Sequence, residues 1–204
     1  MKSTCVFIYG APAVGKTSIV NKLQMNSSEY VSVAETDFTR DFLRGFENFP
    51  HERNFYESFF DLPPEEYRKQ AESMSKNSAG TAVMRTQNGL KDIVFLGAHL
   101  IPSVIHQNKF DNINLKEILM VVSDENEHFR RLSTRSNNAH DGADAFNLTR
   151  NWQDFLISEA KKFDIPILES DEFLFDNIKK VLPGMFDGIE PKVDKPIPPI
   201  QRGR

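Results

Sequence analysis

The sequence has little cysteine, no long apolar run and no leader-like start, and each shortage excludes a class of protein. Cys5 is the only cysteine among the 204 residues, so no disulfide can form within the chain. A lone thiol is typical of a reducing compartment, and we expect Cys5 to be a small core residue. No apolar run approaches the roughly 20 residues that cross a bilayer, and Met1–Ser3 leads directly into an apolar segment. We therefore expect a cytoplasmic protein, or one in the host cytoplasm if it is viral, without a membrane partner.

Metal-ligand spacing and excess positive charge are also missing. The five histidines do not show the spacings of a zinc site, and no pair of thiols supports them, so we expect no structural metal. The formal net charge of −4 argues against a protein that coats nucleic acid electrostatically, although a local basic cleft is compatible with it. Hydrophobic residues make up 39% and charged residues 26% of the chain, which is typical of a globular domain.

The most informative segment present is Gly10–Thr17, which matches the phosphate-binding pattern G-x-x-x-x-G-K-[ST] at every fixed position. It follows the strand-like run Thr4–Tyr9 and precedes a helical pattern, which is the context that this motif requires. Its glycines allow successive N–H groups to face one concavity, where Lys16 would reach the β- and γ-phosphates and the Thr17 hydroxyl would hold Mg²⁺. The sequence therefore predicts that ATP and Mg²⁺ bind at nine consecutive residues: Gly10, Ala11, Pro12, Ala13, Val14, Gly15, Lys16, Thr17 and Ser18.

Apolar runs alternate with helical patterns along most of the chain. The strand-like runs lie at residues 4–9, 30–34, 92–96, 116–122 and 165–168. This alternation predicts an α/β fold, the three-layer sandwich of P-loop NTPases, with a five-stranded, mainly parallel sheet and an arginine-bearing lid. Pro166 indicates that the fifth strand is an edge. We expect this domain to cover residues 1–185 and a Pro-rich, extended or disordered tail to cover residues 186–204, with a docked or partner-binding tail as the alternative.

Charged residues follow several predicted strands, at the edge of a parallel sheet where ligands bind. Asp37 follows the second strand, and Arg40 and Arg44 lie one turn apart on the helix after it. A kinase needs such a carboxylate to orient or deprotonate the acceptor hydroxyl, and arginines to hold the acceptor's anion. It also needs a closing lid, for which the helix after the fourth strand supplies three arginines: Arg130, Arg131 and Arg135.

Two other classes of triphosphate enzyme fit the sequence less well. A GTPase needs the guanine-reading pattern Asn-Lys-x-Asp after an apolar strand; residues 108–111 supply those letters, but His106 and Gln107 precede them. A remodelling ATPase needs an apolar strand that ends in Asp-Glu. Residues 119–125 resemble one, yet Asp124 and Glu125 also suit the first turn of the next helix. We therefore favour a kinase and keep a triphosphate-hydrolysing switch or remodeller as the alternative.

The segment from Pro50 to Pro64 is unusually aromatic, with Phe55, Tyr56, Phe59 and Phe60 close together. Such a group packs as a satellite core more often than it stacks on nucleic-acid bases. We expect the core role here.

Four segments resemble the P-loop kinase family of 2-phosphoglycerate kinase. Thr36–Arg44 resembles the family's Thr-Asp-x-x-Arg-x-x-x-Arg segment, and Gly97–Pro102 resembles its Gly-Val-His-Leu-Val-Pro exit from the third strand. Residues 121–135 resemble its acid-then-arginine lid helix, and residues 150–156 resemble its Ile-Arg-x-Ile-Gln-Asp-Tyr helix.

This resemblance implies a role for each matching residue. ATP and Mg²⁺ would sit on Gly10–Thr17, and the catalytic residues would be Lys16, Asp37 and Arg135. The acceptor would be held by Asp37, Arg40, Arg44 and His99. Where the family usually has a glutamate before Gly-Val-His, however, this chain has Leu96. That departure leaves the acceptor open between 2-phosphoglycerate, a nucleoside, a polynucleotide end and a hydroxymethylated base of the kind found in phage DNA hypermodification.

Overall fold

The computed structural model of the chain describes residues 3–26, 32–44, 58–88, 92–135 and 142–182. Five strands form one sheet within this part: β1 (Ser3–Tyr9), β2 (Ser32–Glu35), β3 (Ile93–Gly97), β4 (Ile113–Val121) and β5 (Ile167–Glu169). Their order is β2-β3-β1-β4-β5, and every adjacent pair is parallel. The predicted five-stranded parallel sheet of an α/β fold is therefore confirmed. The predicted tail and the domain boundary at residue 185 lie outside the described residues.

Helices follow the strands as the alternation predicts. They are α1 (Lys16–Asn26), α2 (Thr36–Arg44), α3 (Pro64–Gln87), α4 (Pro102–Ile105), α5 (Glu125–Arg135), α6 (Ala143–Lys162) and α7 (Leu174–Val181). None of these helices combines the length and the apolar character needed to cross a membrane.

The core is centred on β1, which lies between β3 and β4. The side chains from Cys5 to Tyr9 are all buried, because a central parallel strand is covered on both faces. Phe7 pairs with Phe95 of β3, and their rings stack with centroids 5.1 Å apart. The central position of β1 therefore brings its carboxyl end, and the Gly10–Thr17 segment after it, to the middle of the sheet edge.

The two later strands differ from their predicted bounds. The fourth begins three residues earlier than the predicted Lys116, because Ile113 is buried and the residues from Ile113 onward pair with β1 from Ser3 onward. The fifth begins at Ile167 rather than Ile165. Pro166 precedes it, and its carbonyl accepts a hydrogen bond from the Leu119 N–H. The predicted edge position of this strand is confirmed.

Two helices also differ from the sequence-based expectation. The polar, glycine-containing composition of residues 137–147 predicts a loop, but α6 already begins at Ala143, with Gly142 as its N-terminal flanking residue and Asp144 in its first turn. Residues 136–141 lie outside the described part. The short helix α4 was not expected, and it begins at Pro102, whose fixed φ suits a first helical position. The sequence predicts a helix over Thr149–Phe163, so polar composition concealed only the beginning of α6, whereas shortness concealed α4.

The aromatic segment is described only from Ser58 onward. Phe59 is buried and packs edge-on against Tyr67 of α3, with ring centroids 4.4 Å apart, so its predicted core role is confirmed. Phe60 is half-buried and packs against Phe59. Phe55 and Tyr56 lie outside the described residues.

Candidate active site

The segment Gly10–Thr17, named here the phosphate loop, joins the end of β1 to the start of α1. Gly10 and Gly15 have φ angles of 154° and 90°. A Cβ atom at Gly10 would also lie 2.7 Å from Val14 Cγ2 and 2.8 Å from the Met120 carbonyl oxygen, too close for any side chain. Ala13 has a φ of 63°, which is strained for a residue other than glycine. Positive φ angles of this kind are typical of the tight loops in which successive N–H groups face a phosphate.

Lys16 is folded back into this loop. Its Nζ donates hydrogen bonds to the carbonyl oxygens of Gly10 and Ala11, both at 2.8 Å. Burial is the main reason why the pKa of its ammonium is lowered from 10.5 to about 8; Asp37 opposes this change, and Arg135 adds to it. The Lys16 ammonium therefore loses its proton more readily than an ordinary lysine does, unless an anion binds beside it.

Asp37, at the start of α2, is surrounded by cationic groups. Its carboxylate lies 3.5 Å from Nδ1 of His99, 3.6 Å from Nη1 of Arg40 and 3.7 Å from Nη2 of Arg135. Burial favours the neutral form of Asp37, but the surrounding charges outweigh burial and hold the pKa of this carboxyl below its usual value. The side chain is therefore a carboxylate at neutral pH.

His99 lies behind Asp37 rather than in the open. Its side chain is 1% exposed, with Nδ1 3.0 Å from Thr36 Oγ1 and Nε2 2.9 Å from Gln70 Oε1 of α3. Gly97 makes this arrangement possible, because a Cβ atom there would overlap the Thr36 side chain. The structure therefore brings His99 to the predicted site but surrounds it with neighbouring side chains.

The three arginines of α5 have different contacts. Arg130 makes two hydrogen bonds to Glu127, at 2.7 Å each, and Arg131 donates both to Glu127 and to the Ser170 carbonyl oxygen after β5. These hydrogen bonds lower the pKa of Glu127 to about 2. Of the three, Arg135 is the one paired with Asp37. Arg44 ends α2, but its side chain is outside the part that the structure describes.

Two cavities meet at the phosphate loop. The large cavity, about 720 Å³, extends from Thr17 past Glu35 to α5 and the segment after β5. The small cavity, about 260 Å³, is lined by Phe59, by Tyr67 of α3, and by residues of α2 and of the segment after β3. Three side chains line both cavities, and they are the three predicted catalytic residues: Lys16, Asp37 and Arg135.

Glu35 is a site residue that the sequence analysis did not select. It is the last residue of β2 and lines the large cavity together with Thr17 and Asp37. Hydroxyl and carboxylate oxygens suit Mg²⁺, which proteins bind through one or two carboxylates plus substrate phosphates. The described residues contain no group of three or more His, Cys, Asp or Glu side chains able to hold a metal by themselves. These donors therefore fit a Mg²⁺ ion that arrives with phosphates, and Glu35 could have been found from its position at a strand end.

His128 is a second residue whose contacts were not foreseen. It is buried on α5, and its Nε2–H donates to the Pro12 carbonyl oxygen of the phosphate loop at 2.9 Å. Burial lowers the pKa of His128, and the Arg150 guanidinium beside its Nδ1 lowers it further. A neutral histidine thus connects α5 to the phosphate loop.

The residues that suggested other enzyme classes have structural roles. The Asn108 amide donates to the carbonyl oxygens of Val104 and Ile105 at the end of α4. Asp124 accepts a hydrogen bond from the Glu127 N–H at the start of α5, a cap that the sequence analysis had not singled out. Neither Asn108 nor Asp124 lines the large or the small cavity.

Comparison with known proteins gives fold relatives only. No protein-family model matches the chain, and no curated protein matches its sequence. A sugar kinase from Janibacter sp. HTCC2649 superposes with a TM-score of 0.54 and 16% identity over 88% of this chain and 94% of its own. A putative kinase from Chloroflexus aurantiacus J-10-fl superposes with a TM-score of 0.53 and 13% identity, over 87% of this chain and 91% of its own. Shikimate kinase from Acinetobacter baumannii, in complex with shikimate, superposes with a TM-score of 0.50 and 10% identity, over 88% of this chain and 91% of its own. The chain therefore has the α/β fold of P-loop kinases; the predicted link to 2-phosphoglycerate kinase is not shown.

Proposed function

We propose that this protein is a kinase that transfers the γ-phosphate of ATP to a hydroxyl group of a small acceptor. The observation that carries this proposal is the meeting of two cavities at Lys16, Asp37 and Arg135. An enzyme that joins two substrates needs one compartment for each, with the reacting groups where the compartments meet. The large cavity borders the phosphate loop and suits the nucleotide, which leaves the small cavity for the acceptor.

The chain's own residues supply the groups that phosphoryl transfer needs. Phosphates would bind on the N–H groups of the phosphate loop, and the Lys16 ammonium would exchange carbonyl oxygens for phosphate oxygens. Thr17 and Glu35 would hold Mg²⁺, which supplies charge neutralisation when bound. Arg135, more than half exposed, would move with α5 and meet the charge of the transferred group.

Asp37 would act on the acceptor. The acceptor oxygen forms a bond to the γ-phosphorus, the bond from that phosphorus to the bridging oxygen breaks, and ADP leaves. The hydroxyl proton passes to Asp37, which can take it because its carboxyl is ionised at neutral pH. Arg40 lines the small cavity and would neutralise the negative charge of an anionic group on the acceptor.

The small cavity favours a compact acceptor. Its volume of about 260 Å³ is at the lower end for ligand pockets, and fold relatives include kinases named for shikimate, gluconate and sugars. We therefore propose hydroxy acids of this size, including the 2-phosphoglycerate suggested by the sequence resemblance. A nucleoside remains a second candidate of similar size. No contact of the described residues supports an acceptor within a nucleic acid.

Incubation with ATP labelled at the γ-phosphate tests the proposal. The acceptor panel contains 2-phosphoglycerate, shikimate, D-gluconate and nucleosides. We expect label on one acceptor and none with Lys16→Ala, while Lys109→Ala, an exposed lysine that lines neither cavity, transfers normally. Label found only in free phosphate would favour the hydrolysing switch, and undiminished transfer by folded Lys16→Ala would contradict the mechanism.

A further inference from the structure

A buried hydroxyl beside the small cavity has no hydrogen-bond partner. Tyr67 of α3 lines this cavity and is 1% exposed, and its phenol oxygen is unpaired within the described part of the chain. Folded proteins pair nearly all such groups, because an unpaired buried hydroxyl lowers stability. An unpaired group at the wall of a proposed substrate cavity therefore points to a partner that binds there.

The Tyr67 ring packs against three other rings. Phe59 and Trp152 pack edge-on against it, with centroids 4.4 Å and 4.7 Å away, and His99 lies tilted at 5.2 Å. Such packing holds the ring by its apolar part without satisfying its O–H group. The O–H group is therefore the part of Tyr67 that a ligand could still pair.

The charges around the cavity define what the phenol would meet. Burial raises the pKa of Tyr67 well above 10, and Asp37 raises it further while Arg40 opposes it, so the phenol keeps its proton. The same cavity is lined by three cationic side chains and one carboxylate: Lys16, Arg40, Arg135 and Asp37. A ligand that fits both features carries negative charge and an oxygen that accepts a hydrogen bond.

Resting on the proposed function, we propose that Tyr67 is an acceptor-binding residue whose phenol O–H donates to an oxygen of a small anionic hydroxy acid. Surrounding side chains cover the phenol oxygen, so the acceptor reaches it through a small shift of the Tyr67 ring. Binding then removes the unfavourable unpaired state. Acceptors without a suitably placed oxygen leave the Tyr67 hydroxyl unpaired and therefore bind more weakly. This difference in affinity makes Tyr67 a specificity determinant.

The first test compares two tyrosine-to-phenylalanine variants by thermal unfolding. Tyr67→Phe removes an unpaired hydroxyl, and we expect the Tm to rise by about 2 °C or more. Tyr9→Phe is the matched control, because Tyr9 is equally buried but donates to Glu117 at 2.5 Å. Its Tm should fall. A lower Tm for Tyr67→Phe would show that the phenol has a structural partner and would overturn the proposal.

The second test measures acceptor binding through Trp152, the only tryptophan of the chain. Because this ring contacts Tyr67, its emission should change on titration with shikimate, D-gluconate or 2-phosphoglycerate. For the probe that binds, Tyr67→Phe should weaken binding about 10-fold and Tyr9→Phe should leave it unchanged. Inorganic phosphate, which offers only the anion, should bind equally to both variants.

Transfer and binding separate the two proposals. Label transferred equally well by Tyr67→Phe and the wild type, with equal acceptor KM, would overturn the role of Tyr67 and leave the kinase intact. Binding that depends on Tyr67 without any transfer would support the role of Tyr67 and count against the kinase. If the protein still binds ATP but none of the three hydroxy acids changes the Trp152 emission, the acceptor class assigned to the small cavity is overturned.

Discussion

At the scale of single residues, the carboxylate of Asp37 lies where the two cavities meet and is paired with Arg40 and Arg135. Both ion pairs are longer than a direct hydrogen bond, at 3.6 Å and 3.7 Å, so an acceptor hydroxyl can approach the carboxylate without breaking a short contact. Asp37 lines both cavities, which suits the proposed role of its carboxylate toward the acceptor hydroxyl.

We expect Asp37→Asn to lower kcat by about 10²- to 10⁴-fold, because an amide cannot accept the proton. The KM for ATP should change far less. Steady-state kinetics of both substrates check this, with the exposed Asp111→Asn as control. An equal loss of ATP binding would instead make Asp37 primarily a Mg²⁺ ligand.

Lys16 should take up a proton when the nucleotide binds. Its pKa of about 8 leaves most of the side chain neutral at pH 9, whereas adjacent phosphates favour the ammonium form. We expect uptake that approaches one proton per nucleotide at pH 9 and falls to almost none at pH 7. Calorimetry in buffers of different ionisation enthalpy measures this. Lys16→Arg, which stays charged, should show no uptake; identical uptake by that variant would contradict the assignment.

The sequence predicts some site residues better than others for a physical reason. Lys16 belongs to a contiguous motif, and Asp37 and Arg135 follow predicted strands whose carboxyl ends share an edge. The surroundings of Tyr67 and His128 depend on contacts between distant segments, such as the contact of His128 with Pro12, 116 residues away. Alternating patterns carry no information about such contacts.

At the scale of elements, α5 is connected to the phosphate loop and to the segment after β5. His128 holds the Pro12 carbonyl, and Arg131 holds the Ser170 carbonyl. Such a helix cannot move without changing both contacts. The arginine-rich composition of α5 was evident from its sequence, but the pairing of Arg130 and Arg131 with Glu127 was not.

The pH dependence of stability should report the connection through His128. The pKa of this imidazole is below 6.5 in the folded protein and returns to its usual value on unfolding. The unfolded chain then binds more protons just below pH 6.5, so the free energy of unfolding should decrease as the pH falls through that range and is retained above it.

We expect His128→Gln, whose amide can still donate to Pro12, to lose less stability than the wild type between pH 7.5 and 5.5. Urea unfolding at both pH values measures the difference. Asp37 does not interfere, because its pKa is lowered and affects stability only at more acidic pH. Equal losses in both proteins would show that His128 does not titrate in this range.

At the scale of the whole molecule, strand order decides which loops meet. Because β1 lies between β3 and β4, with β2 beyond β3, the ends of β1, β2 and β3 bring together the phosphate loop, Asp37 and His99. Alternation in the sequence predicted the strands and their parallel direction. It did not predict their order, since order depends on crossover connections that leave no periodic signal.

The buried thiol of Cys5 in the central strand can report when the sheet opens. Cys5 is 1% exposed, and burial together with Glu117 and Asp92 raises its pKa to about 12. Thiol reagents attack the thiolate, so the folded protein should resist alkylation.

Alkylation of Cys5 should therefore occur only when the sheet comes apart at its centre. We expect its rate, followed by mass spectrometry, to increase with urea as steeply as global unfolding does. Rapid labelling without denaturant, insensitive to urea, would mean that β1 separates from its neighbours locally. With one cysteine in the chain, every labelled molecule marks one exposure of β1, and ligands that bind the folded state can be ranked by how far they slow that reaction.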